Sequence, residues 1–270
     1  MTKDKARDES ATDPRPVETG TIGRVLGLLE LVACAETPLR FTDILARAGL
    51  PRGTLHRHLS HLVAEGMLEL RDDLHYEPGL RLMRFAHRAW SRNDLRRVAT
   101  PYLRELADRT GETVHLGVMQ DDVIVYIDKV DGRQSVRMTS EIGKASPLYC
   151  TGIGKAALSL LPDATVAAIA RGLDYRRFTP NTCPDAAALM AEVAAARRDG
   201  LAHDRQEHEA GILCLAAPVR TATHCAAISV TAPAYRVSAG DLDLWGPLVR
   251  EVAARIGAAA AVLLSPVRSG

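Results

Sequence analysis

Between Thr42 and Gly66 the chain spells two short amphipathic segments separated by a glycine, and few folds accommodate that pattern. Thr42 can cap a first helix, with Ile44, Leu45 and Ala48 on its buried side. Gly49 stands where a sharp chain reversal requires positive φ. Leu50-Pro51 then leads into a second helix running through Glu65. Its apolar residues Leu55, Leu59, Leu62 and Val63 follow i, i+4, i+7, i+8 spacing, and Gly66 ends it. Two helices about a tight glycine turn predict a helix-turn-helix. Downstream, Met67–Leu70, the polar Arg71-Asp72-Asp73 and His75-Tyr76-Glu77 predict a small hairpin, or wing. Upstream, a periodic run from Ile22 through Val25, Leu26, Leu29 and Val32 predicts a helix that stops before Pro38.

With the apolar stripe of the second helix turned inward, about 100° per residue puts Gly53, Thr54, Arg57, Ser60 and His61 on the opposite face, with Arg52 at the amino end. This face is small or polar around a forked guanidinium. Arg can pair with guanine O6 and N7 in the major groove, and Thr can meet a thymine methyl or a phosphate. An isolated helix with this face would be read as merely solvated. The helix–turn–helix–wing order tips the reading to double-stranded operator DNA.

The remainder of the chain reads as further elements. Residues 1–20 mix charge, Ser, Thr, Pro and Gly without periodicity and predict a disordered tail. The winged helix-turn-helix domain takes 21–79. A linker helix takes 80–97, rich in Arg and Leu and broken near Ser91-Arg92-Asn93. An effector-binding domain takes 98–267. Within that last region a helix is expected over Pro101–Thr110, strands at Val114–Met119, Val123–Val130 and Val136–Met138, and a loop with Gly143 and Pro147. Helices follow at Gly154–Leu161, Thr165–Arg171 and Asp185–Asp199, then strands at Leu213–Val219 and Ala226–Thr231, and a last helix at Ala239–Leu264. Strands covered by helices on one side give an α+β domain of sensor type.

Bulk composition narrows the function classes. A length of 270 residues suits two domains, and 47% hydrophobic with 25% charged residues is a globular composition. Aromatic residues are 4%, so the cores should be aliphatic. Net charge is +1, and acidic and basic residues balance over 20–85, so DNA binding must rest on local pattern and non-specific affinity should be modest. No signal-peptide pattern opens the chain and no apolar run reaches membrane-spanning length; the stretch Ile256–Leu264 is too short. The five cysteines are scattered and form no CxxC pair, so the expected compartment is the cytoplasm.

Long motifs in a fixed order then carry a resemblance. Thr42-Asp43-Ile44, the run Gly49-Leu50-Pro51-Arg52-Gly53-Thr54-Leu55-His56-Arg57 and Gly66 resemble the IclR family of bacterial transcription regulators. Arg109–Val118 resembles the opening of that family's effector domain. Arg137-Met138, Ile142-Gly143 and Pro147–Lys155 resemble its ligand loop, and Gly200–Asp204, Glu207, Gly211 and Cys214–Val219 a third signature. The match spans roughly Thr21 to Leu264. The ligand loop is most like members that answer to sugar-derived keto acids (the KdgR type) and to glycerol catabolism.

The resemblance implies a GAF-like effector domain and a ligand-responsive repressor of a catabolic operon, acting as a homodimer or a dimer of dimers. The implied effector is a small organic acid or a sugar-derived keto or hydroxy acid. Its contacts would come from Met138, Ser146, Gly152, Ile153, Asp204, Cys214, Ser229 and Thr231. General chemistry agrees. Gly152 and Gly154 open a helix whose free N–H groups suit a carboxylate, and Ser229 and Thr231, two apart on a strand, face one side. Thr231 stands where the family often has Ser, and Ser146 where some members are apolar, which makes the pocket more polar. Taken singly, Cys214 reads as core and Asp204 as a loop cap.

One enzymatic alternative exists: Cys214 with His208 and Glu207, or Cys150 with His115, could form a thiol nucleophile site, making a thiol-dependent hydrolase. No cofactor is expected. Cys150, Cys183, Cys214, His203, His208 and His224 lack structural zinc spacing, which leaves an ion in the effector pocket as the one metal reading.

Overall fold

The computed structural model describes residues 20–133 and 140–263. Met138 and the strand expected at Val136–Met138 lie outside the described residues, as do residues 1–19 of the expected tail. The chain divides into two compact units, residues 1–92 and 93–270.

The first unit holds α1 (Gly20–Ala33), β1 (Leu39–Arg40), α2 (Phe41–Ala48), α3 (Arg52–Ala64), β2 (Leu68–Leu70), β3 (His75–Pro78) and α4 (Leu80–Ser91). α2 starts two residues earlier than expected, with Arg40 rather than Thr42 at its cap position. The start is held instead by Asp43, whose carboxylate accepts the Arg40 backbone N–H at 2.9 Å. Gly49 adopts φ +61°, a left-handed turn that lets α3 fold back across α2. Ile44, Leu55, Leu59, Leu62 and Leu68 pack with Leu28, Leu29 and Val32 of α1 into one core. His58 is also buried, which the polar look of the residue concealed. The wing is three-stranded, because β1 pairs with β3 beside the expected β2–β3 hairpin. A two-residue strand carries too little periodicity to be read in advance.

The linker stretch is indeed broken, at Arg92-Asn93, but only α4 belongs to the first unit. Asn93 caps α5 (Asp94–Thr110), its side-chain oxygen accepting the Arg96 N–H at 2.9 Å. Leu95, Ala99, Leu103 and Leu106 form a buried stripe at four- and three-residue spacing. The helix therefore begins seven residues before Pro101 rather than at it. Pro101 is exposed and tolerated inside the helix because packing of that stripe outweighs one lost backbone bond.

The second unit continues with β4 (Thr113–Gln120), β5 (Val123–Val130), β6 (Ala145–Pro147), α6 (Gly152–Leu158), α7 (Asp163–Gly172), α8 (Ala186–Asp199), β7 (Ala202–Arg205), β8 (Ile212–Arg220), β9 (Cys225–Pro233) and α9 (Ala239–Leu263). The strands form an antiparallel sheet in the order β6-β5-β4-β9-β8-β7. Both edge strands, β6 and β7, went unread in the sequence. Helices cover both faces, not one. α5 and α9 bury Val114, Leu116, Leu215, Ala217, Ile228 and Val230. α6, α7 and α8 pack with Cys214, Ala216 and Ala227 on the other face. Strands apolar at both parities require two covers. Period-2 alternation then sends His115, Cys214, Ser229 and Thr231, the odd polar members, to the α6 face together.

Candidate DNA-reading face and effector cavity

In the first unit α3 presents Arg52, Gly53, Arg57, Ser60 and His61 to solvent, with Thr54 half-buried beside them. Of the six residues expected on the reading face, five are thus exposed and Thr54 is partly covered. Arg52 lies over the Phe41 ring, 5.1 Å from its centroid, which fixes one guanidinium at the amino end of α3. Arg57 and its neighbours meet the requirement of a groove reader: a forked donor on a helix whose inner face is locked by Leu55, Leu59 and Leu62. The wing turn carries Arg71, Asp72 and Asp73 with exposed Leu74 at φ +65°, and the Arg71 guanidinium is paired with Asp73 at 3.6 Å and Glu77 at 3.5 Å.

In the second unit a cavity of about 70 Å³ opens on the α6 face of the sheet. Five expected contacts line it: Ser146, Ile153, Asp204, Cys214 and Thr231. Each edge strand brings one of them, Ser146 from β6 and Asp204 from β7, and the register sets Asp204 opposite Cys214 and Cys214 opposite Thr231. Gly152 and Ser229 stand just behind the wall. A Cβ on Gly152 would lie 3.1 Å from Cys214 Sγ and 3.2 Å from the Asp204 nitrogen, so any side chain there would press Cys214 and Asp204 back by a few tenths of an ångström. Ser229 is buried, with Oγ 3.4 Å from His115 Nδ1.

The helix start at Gly152 is less open to an anion than the sequence suggested. Thr151 caps α6, accepting the Gly154 N–H at 3.2 Å and donating to the Pro147 carbonyl at 2.7 Å, so one of the three leading amides is already taken. Asp204 is both strand residue and turn cap: its carboxylate accepts the Glu207 N–H at 2.7 Å. Burial pushes its carboxyl up to about 7, against the opposing pull of the Glu207 and His208 amides. Behind it, fully buried Lys155 on α6 pairs with Glu207 at 2.7 Å and with Glu192 at 3.4 Å, holding the turn after β7 in place.

Sequence reasoning had not assigned His115, Tyr126, Ser140, Lys144, Thr151, His208, Glu209 and Ile212 to this wall. His115 had a legible signal, as the one polar residue between buried Val114 and Leu116 on a central strand. Its imidazole is pulled down to about 3 by burial, with Lys129 adding to the effect, and so is neutral. The loop residues gave no periodic signal.

The thiol-enzyme alternative fails on electrostatics. Burial pushes the Cys214 thiol up to about 12, with the nearby Asp204 carboxyl adding, and raises Cys150 by the same cause. A nucleophile needs the opposite shift. Among the described residues no group of three or more His, Cys, Asp or Glu stands together as a metal site. No helix among them is long and apolar enough to cross a membrane.

Comparison with known proteins follows the same division. Residues 21–72 match the IclR helix-turn-helix domain, and residues 87–258 match the bacterial transcriptional regulator IclR C-terminal domain. The chain is 34% identical to the HTH-type transcriptional regulator XynR of Escherichia coli K12, covering 82% of this chain and 89% of that one. It is 32% identical to the HTH-type transcriptional regulator KdgR of the same organism, covering 91% and 94%. Among solved structures, an IclR homologue from Microbacterium hydrocarbonoxydans complexed with 4-hydroxybenzoate superposes with a TM-score of 0.71 at 25% identity, covering 89% and 99%. The chain belongs to the IclR family of transcriptional regulators, proteins that bind DNA through a helix-turn-helix and are not enzymes.

Proposed function

We propose that the protein is a ligand-responsive repressor of a catabolic operon whose effector is a small organic acid of the hydroxy or keto type. The observation that carries the effector reading is the cavity itself: about 70 Å³, walled by hydroxyls, a neutral imidazole and a buried carboxyl. It is smaller than the roughly 150 Å³ that admits benzene, so it suits a short-chain acid. A relative binds an aromatic acid, 4-hydroxybenzoate, which supports the acid class. Repression needs only that the bound protein cover a promoter, with no contact to the polymerase. Arg52, Gly53, Thr54, Arg57, Ser60 and His61 would read the operator. Ser146, Gly152, Ile153, Asp204, Cys214, Ser229 and Thr231, with Met138, would hold the effector.

The chain would act as a homodimer, or a dimer of dimers, on a palindromic operator, because one reading helix covers one half-site. Ile22 and Leu26 on α1, and Leu80, Met83 and Phe85 on α4, are exposed apolar residues suited to that contact. An effector shifts DNA affinity only by its differential affinity for two conformations, typically about 1–3 kcal/mol. The test is a gel-shift titration on the protein's own upstream region with and without candidate acids. Asp204→Ala and Ser229→Ala should lose the response to acid while retaining DNA binding without it. A response in both variants equal to wild type would show that the effector binds elsewhere.

A further inference from the structure

We propose that the effector is read through a hydroxyl group, and that His115 is the residue that sets this specificity. The inference rests on the reading of the cavity as the effector site and names the ligand class more narrowly.

His115 sits on β4, a central strand, at 2% exposure, and its ring lines the cavity beside Tyr126, with centroids 5.0 Å apart. A neutral imidazole offers one donor and one acceptor. Nε2 is engaged, 2.7 Å from Ser140 Oγ. Nδ1 is not comparably engaged: it faces Ser229 Oγ and Thr231 Oγ1, each at 3.4 Å, well beyond the usual length of a strong hydrogen bond. A buried nitrogen with two long contacts, on a cavity wall, has bonding capacity that a ligand can complete.

The identity of that ligand group follows from the partners around it. Nδ1 is a donor or an acceptor according to which way the Ser140 hydroxyl turns. A ligand hydroxyl satisfies it in either state, whereas a ketone oxygen or a carboxylate oxygen satisfies it only as a donor. The neighbouring groups are themselves hydroxyls, from Thr231, Ser146 and Tyr126, which exchange donor and acceptor roles readily. Among the described lining residues the fixed cation is Lys144, which is exposed, as is the lining carboxylate Glu209. Among the described lining residues the interior therefore offers a carboxylate no fixed positive charge. The acid end of the effector points outward to Lys144, and its hydroxyl points inward to His115.

The probes are two matched pairs, lactate with pyruvate and 2-hydroxybutyrate with 2-oxobutyrate, titrated calorimetrically into the full chain. Each hydroxy acid, in one enantiomer, should bind at least about tenfold tighter than its keto partner, the scale of one satisfied buried polar group. In His115→Leu, with folding checked by its thermal midpoint, the ratio should collapse towards one. His115→Gln, which restores a donor and an acceptor, should recover part of it. Equal affinity for both members of each pair, or tighter keto acids, in the wild type overturns the inference without any variant. A ratio retained in folded His115→Leu overturns it as well. Binding of neither class to wild type refutes the small-acid reading, and this inference with it.

Discussion

Asp204→Asn tests the electrostatics of the cavity most directly. Asp204 is buried in the wall, and burial raises its carboxyl from the ordinary 3.8 to about 7. The native protein therefore holds a proton that the unfolded chain releases between pH 4 and pH 7. The more protonated native state is favoured below that window, so stability is lost as pH rises through it. At about 1.4 kcal/mol per unit, the loss attributable to Asp204 is about 4 kcal/mol by pH 8. Asparagine carries no charge and escapes this loss. It presents a single oxygen where the carboxyl meets the Glu207 and His208 amides, a cost of about 1–3 kcal/mol at any pH. The variant should thus be less stable than wild type near pH 4 and more stable at pH 8, with the two curves crossing between. His115 runs the other way: its proton affinity is lowered from 6.5 to about 3, so its contribution rises with pH over that range. The wild-type profile alone is therefore flattened, and only the difference between the two proteins isolates Asp204. Urea unfolding of both, followed by circular dichroism from pH 4 to 8, supplies that difference. A difference that does not change with pH would mean that Asp204 titrates like an exposed carboxyl, and the account of a desolvated wall would be wrong.

Arg57→Ala should cost about 1–3 kcal/mol of operator affinity, the worth of a bidentate base contact, with no change in thermal midpoint, because Arg57 is exposed opposite Leu55 and Leu59; a fluorescence-anisotropy titration checks the first part and a melt the second. Lys155→Met alone should destabilise the chain by about 3–5 kcal/mol by stranding the buried Glu207 carboxylate, and adding Glu207→Gln should recover much of it. Chemical denaturation of the single and double variants measures both. Met83→Glu, on the exposed apolar face of α4, should shift the protein towards monomer in sedimentation and weaken binding to a palindrome more than to a half-site.

Much of this protein was legible before any coordinates. The helix-turn-helix was readable because its signals are local: Gly49 needs a left-handed φ, Leu55, Leu59 and Leu62 repeat with the helical period, and the exposed residues of α3 follow by rotation. The strand pair Ser229 and Thr231 was readable for the same reason, since two-residue alternation sends both to one face. The start of α5 was misplaced at Pro101 because the rule that proline begins helices is local, and the buried stripe that overrides it is not.

What only the tertiary structure decided is how distant residues meet. β6 and β7 are three and four residues long, too short to show a period, yet they bring Ser146 and Asp204 to the cavity through pairing with β5 and β8. Lys155 and Glu207, 52 positions apart, meet at 2.7 Å only because α6 packs on the sheet. His115 becomes a buried neutral ring beside Ser140, Ser229 and Thr231 through the order β5-β4-β9, which nothing in its own neighbourhood encodes. Periodicity states which face a residue takes. Desolvation, charge pairing and the shape of a cavity depend on which other faces come to lie against it.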